Sequence, residues 1–189
     1  LAAVTAMVHS PDEDSLALVF QAFAEESCPD IHTYMNIIFG AGEKIEPFVK
    51  SYLEKSPSVE KLSLLIELAG AVPLPSLYPE VAGYADHPDK EVRIKVAKAL
   101  GKFLVPDSYE VLEKMAGDKE WEVQAQALKG LGKLRNPGAL VLLTRGLFSP
   151  TWHARYNARD GLPNLRPFGT RTPEAAARQL AAGELELAR

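Results

Sequence analysis

The chain has 189 residues, 47% of them hydrophobic and 24% charged, with a formal net charge of −4. This is globular composition, which argues against a disordered chain, and the single cysteine, Cys28, excludes an internal disulfide and a multi-cysteine zinc site. No apolar run approaches the ~18 residues of a membrane span. The length suits one domain or one extended array, and with aromatic residues at only 8% the core must be built mostly of Leu, Val and Ala. The charge is unevenly spread: residues 1–75 carry a net −7, residues 76–135 net to zero, and residues 136–189 carry +3 supplied by arginine alone. Such polarity bears on association more than on fold.

In chain order, residues 1–13 read as the remnant of a helix. Because the chain begins at Leu1 rather than Met, we expect sequence upstream, such as a membrane tether or a catalytic domain. Five units of similar pattern follow, at about 14–42, 45–72, 76–104, 108–135 and 139–165. The last three repeat at a step of 31 residues without a gap: Val92, Val123 and Ala154 share a column, as do Leu100, Leu131 and Leu162, and Phe103, Leu134 and Leu165. Trp121 and Trp152 share another, and Gly70, Gly101 and Gly132 fall on the same step. Pro29 and Gly42 repeat the Pro-to-Gly spacing of Pro57 and Gly70 after a shorter step.

Each unit has two apolar stretches of helical period around a polar break: SCPD, KSPS, DHPDKE, GDKE and SPT. The break prolines are expected in the first turn of the second helix, with Asp or Ser as its cap, and the recurring glycine at its C-terminal end. Two short helices cannot bury their faces alone, so the units must stack around one continuous core. The fold class is therefore all-α, an α-solenoid of about five two-helix repeats. Thr172-Pro173-Glu174 starts a last helical stretch, and residues 166–189 are expected to cap the array.

The run His87-Pro88-Asp89-Lys90-Glu91-Val92-Arg93, with Ala97, Leu100 and Gly101 after it, resembles HEAT repeats, most closely the short kind of phycobilisome lyases. In that kind a D-P-D-x-x-V-R pattern opens the second helix and an Asp–Arg ladder links neighbouring repeats. This chain departs from it at His87, at Gln124 and at Leu62, so the resemblance implies an incomplete ladder. The last unit, with Trp152, Arg155, Asn157 and Ala158, is also similar to bacterial HEAT proteins that carry an N-terminal membrane anchor.

At ~100° per residue, the core face of the third unit's second helix holds Val92, Val96, Ala99, Leu100 and Phe103. Its flanks, Arg93, Ile94 and Ala97, should meet neighbouring repeats. The remaining stripe is Lys95, Lys98 and Lys102; shifting by 31 gives Gln126, Lys129 and Lys133, then Asn157, Asp160 and Asn164. Backward shifts give Leu64, Glu67 and Ala71, and approximately Asn36, Phe39 and Glu43. The resemblance implies that second helices line the concave face, which would then be acidic and apolar at its start and basic at its centre.

The expectation is a non-catalytic scaffold or adaptor that binds another protein or an acidic peptide through Lys95, Lys98, Lys102, Gln126, Lys129, Lys133 and Asn157. Arg155 and Arg159, four apart on one helix, are candidate anion contacts. Trp121 and Trp152 are expected to pack between repeats. His9, His32, His87 and His153 occupy different columns, so neither metal nor cofactor is expected. Nucleophile-elbow and phosphate-loop motifs are missing. The alternative is an enzyme or its accessory subunit, similar to HEAT-like DNA glycosylases or bilin lyases, with Trp121, Trp152 and Asp160 cast in the glycosylase roles. Overall negative charge argues against nucleic acid. The expected location is the cytoplasm, free or tethered to a membrane by a segment upstream of Leu1.

Overall fold

The structure, a computed structural model, describes residues 13–24, 38–55 and 58–168, and every regular element among them is helical. The helices are α1 (Glu13–Ala24), α2 (Glu46–Glu54), α3 (Val59–Ala71), α4 (Tyr78–Ala82), α5 (Lys90–Phe103), α6 (Ser108–Met115), α7 (Trp121–Leu134), α8 (Ala139–Gly146) and α9 (Trp152–Gly161). Short 3-10 turns at Gly42–Ile45 and Pro75–Leu77 lead into α2 and α4, and a third over Leu162–Phe168 follows α9. From α2 onward the helices alternate between a shorter first and a longer second member of a pair. Residues 1–12, the first unit's break with Cys28 and Pro29, His32, Asn36, and residues 169–189, where a cap is expected, lie outside the described residues.

Two of the second helices, α3 and α5, begin where a polar side chain replaces a missing intrahelical partner. Asp89, in extended conformation, accepts a 2.7 Å bond from the Glu91 N–H at the start of α5, and Ser58 caps α3 through the Lys61 N–H. Pro88 and Pro150 lie one residue before the caps Asp89 and Thr151, rather than in the first helical turn. There they need no N–H and hold the entering chain out of helical conformation.

The repeated glycines are also placed differently from expectation. Gly70, Gly101 and Gly132 lie inside their helices, and the left-handed caps of α5 and α7 are Leu104 (φ 56°) and Arg135 (φ 53°). A Cβ on Gly101 would stand 2.7 Å from the Gly130 Cα, and one on Gly132 would stand 2.5 Å from the Gly161 Cα. Gly70 meets Ala99 in the same way at 2.9 Å. These pairs repeat every 31 residues and form a seam along which α3, α5, α7 and α9 touch backbone to backbone.

The first helices α2, α4, α6 and α8 contact one another more sparsely than the second helices do. The second helices thus form the more closely packed layer, the one in which the inner face is expected. Between the layers lies one continuous core that includes Val92, Val96, Ala99, Leu100, Leu112, Leu131 and Leu143, all buried. Phe20 of α1 joins it by stacking on Phe48 of α2, ring centroids 5.2 Å apart. Tyr78 and Tyr84 tie units together, donating hydroxyl bonds to the Asp107 and Leu53 carbonyls.

Candidate interaction groove

Small residues at the α5–α7 crossing leave a trough, and long side chains one turn away form its walls. The floor is Gly101, Gly130 and Ala97; the walls are Lys95, Lys98, Lys102, Gln126, Lys129 and Lys133, with one acid, Glu91, and Ile94 also in the lining, around a volume of about 260 Å³. Lys102 and Lys133 also border an open hollow of about 640 Å³ that Pro73, Leu104, Arg135 and Asn164 complete. Six of the seven residues expected to bind a partner thus surround one groove.

The five lysines are not equivalent. Glu67 of α3, in the column of Lys98, takes Lys95 at 2.6 Å and Lys98 at 3.0 Å. Burial pushes the Glu67 carboxyl up, but the hydrogen bonds and charges of the two lysines outweigh it and hold it below the ordinary value. The expected acid-free lysine cluster is therefore neutralised on the α3 side. Lys102, Lys129 and Lys133 have no acidic partner among the described residues. Partial burial, then the charges of Lys129 and Lys102, lowers the Lys133 pKa. These three are the unneutralised part of the groove.

Asn157 lies outside the groove lining and acts between helices. Its Nδ2 donates to the Ala125 carbonyl at 2.7 Å, and Asn164 repeats the contact with the Gly132 carbonyl at 3.0 Å. Arg155 and Arg159 do not converge on one site. Arg155 Nη1 donates to the Ser149 and Pro150 carbonyls, at 2.8 and 2.9 Å, whereas Arg159 lies over the Tyr156 ring. Neither pairs with an acid of the preceding unit.

The ladder runs through the column of Arg93, Gln124 and Arg155. Arg93, 5% exposed, donates through Nη1 to the His87 and Pro88 carbonyls and grips Asp118 of the next unit with Nε (2.7 Å) and Nη2 (3.0 Å). Gln124 keeps the local tie, donating to the Asp118 carbonyl at 2.6 Å, but brings no charge to the following unit. In α3 the column holds Leu62, buried in the core. Among the described residues the ladder thus has one ionic rung, between the third and fourth units.

Trp121 bridges two units as expected, whereas Trp152 meets rings of its own helix only, among the described residues, and both remain exposed. Trp121, 39% exposed, stacks on His153 at 4.9 Å; Trp152, 59% exposed, meets the edge of His153 and stacks on Tyr156 at 5.2 Å. His87 uses Nδ1 to accept from the Asp89 N–H. Among the described residues no three His, Cys, Asp or Glu side chains group as metal ligands, and no helix is long and apolar enough to cross a membrane.

Comparison with curated proteins gives no match. A family model described as HEAT repeats matches residues 46–120 and 79–162, which together span more than half of the chain. The stacked helix pairs, their buried columns and this match agree: the chain belongs to the HEAT-repeat family, whose members in general suggest a protein-interaction scaffold.

Proposed function

We propose that this chain is a non-catalytic scaffold that holds an acidic peptide, or an acidic stretch of another protein, in the groove between α5 and α7. The observation that carries this reading is the set Lys102, Lys129 and Lys133, three ammonium groups beside a glycine-floored trough with no acidic partner among the described residues. Like charges held together raise the free energy of the empty groove, and an incoming carboxylate relieves that repulsion. Lysines on long stems suit an extended acidic ligand better than a single rigid one. Glu67 sets the limit of the site towards α3, since Lys95 and Lys98 are already neutralised there.

The test is binding of a fluorescent polyglutamate peptide to the full chain, followed by anisotropy. Affinity should fall severalfold between about 0.05 and about 0.5 M NaCl, and a Lys102→Glu, Lys129→Glu, Lys133→Glu triple variant should not bind. Equal binding by the triple variant, or salt-independent affinity, would reject the groove. A base-excision assay on alkylated duplex DNA checks the catalytic alternative, and activity there would displace the scaffold reading.

A further inference from the structure

Arg155 repeats the Arg93 arrangement with one half left empty. Both guanidinium groups are aimed by Nη1 bonds to the carbonyls six and five residues earlier in the chain. In Arg93 the opposite edge, Nε and Nη2, holds the Asp118 carboxylate. In Arg155 that edge has no partner among the described residues. A guanidinium aimed in advance loses little conformational freedom when a carboxylate arrives, and its fork matches two carboxylate oxygens.

The surroundings point outward. Phe148 is 81% exposed just before the Ser149 and Pro150 carbonyls that Arg155 holds, and Trp152 and Tyr156 are exposed on the same helix as Arg155. Exposed Trp, Tyr and Arg together are the side chains on which binding energy concentrates. Another repeat does not fit here as the earlier ones do. Tyr156 and Pro163 occupy the columns in which α7 offers Ala125 and Gly132 to α9, so a following helix would meet bulkier residues than α9 meets on α7. Two guanidinium groups, one stacked on Tyr156, stand on α9 against its one acid, Asp160.

We propose that this end face, with the open fork of Arg155 at its centre, binds a partner protein's short acidic segment, one carboxylate seated on Nε and Nη2 and an adjoining apolar side chain against Trp152 and Tyr156. The internal rung shows the chemistry: Asp118 lies in the sequence Gly117-Asp118-Lys119-Glu120-Trp121, an acid three residues before a large aromatic one, with its Oδ1 also accepting from the Glu120 N–H. This surface is independent of the lysine groove.

The probe is the blocked pentapeptide with the sequence of residues 117–121, titrated into the full chain while the Arg155 Nε–H signal is followed by NMR. We expect a saturable shift that the Asp-to-Asn peptide gives at least about tenfold more weakly, and a similar loss in Arg155→Lys, which keeps the charge but not the fork. The Lys102→Glu, Lys129→Glu, Lys133→Glu variant should bind the probe unchanged, which separates this surface from the groove. Trp152→Ala should weaken binding while leaving the thermal midpoint unaltered. An absent shift, or equal shifts with the Asn peptide, would overturn the proposal. So would an Arg155 signal that responds only after residues 169–189 are removed, which would make the chain's own end the occupant. Concentration-dependent self-association abolished in Arg155→Gln would overturn it in favour of a second copy.

Discussion

An ammonium group crowded by two others gives up its proton more readily than an isolated one. Burial and the neighbouring Lys129 and Lys102 lower the Lys133 pKa, so at mildly alkaline pH it holds more neutral, nucleophilic amine than an ordinary lysine, whereas the Lys98 nitrogen is engaged by Glu67. An amine-acylating reagent near pH 9 should label Lys133 ahead of Lys98, and the polyglutamate peptide should slow it; mass mapping of the products checks the order. The lysine stripe was legible from helical period alone. That Glu67 neutralises part of it was half legible, since Glu67 stands 31 residues before Lys98, but the contact depends on how far apart the helices pack. The exposure of Trp121 and Trp152 was not legible, because it depends on what surrounds each: His153 of the next unit for Trp121, and among the described residues only His153 and Tyr156 of its own helix for Trp152.

Joining one helix pair to the next takes a different kind of contact. The Arg93–Asp118 rung is almost fully buried, with both carboxylate oxygens on the fork and the Glu120 N–H added. Burial alone would raise the Asp118 pKa, but the Arg93 bonds, the Glu120 N–H and the guanidinium charge together hold it below the ordinary value. A carboxyl depressed in the folded state contributes stability that is fully present above its unfolded pKa, about 3.9, and is lost as pH falls towards the folded value. Asp118→Asn should therefore destabilise the chain by about 1–3 kcal/mol at neutral pH and flatten the stability profile below about pH 4, as measured by urea denaturation across pH. A parallel profile in the variant would show that the rung does not shape the acid limb. The period of 31 made the pairing of units and their core columns legible. It could not say whether a repeated glycine ends a helix or sits at a crossing, since both positions favour a missing side chain; Leu104 and Arg135 take the left-handed caps instead.

Stacked repeats touch only their neighbours, so the array's cooperativity rests on each interface in turn. Gly132→Leu places a side chain where the Gly161 backbone stands, and α9 must move away from α7. Hydrogen exchange in α8 and α9 should then accelerate by tenfold or more while α3 and α5 keep their protection. Uniform loss along the chain would show that the units do not unfold separately. The glycine seam has a mechanical consequence as well. In a beam built of one incompressible layer and one loosely spaced layer, the neutral axis lies along the stiff one. Backbone contacts at Gly70, Gly101 and Gly132 leave no slack on the inner side, whereas the sparsely touching first helices can spread or close. When the array flexes, the outer layer therefore takes up the strain, and the spacing of Lys102, Lys129 and Lys133 beside the seam changes least.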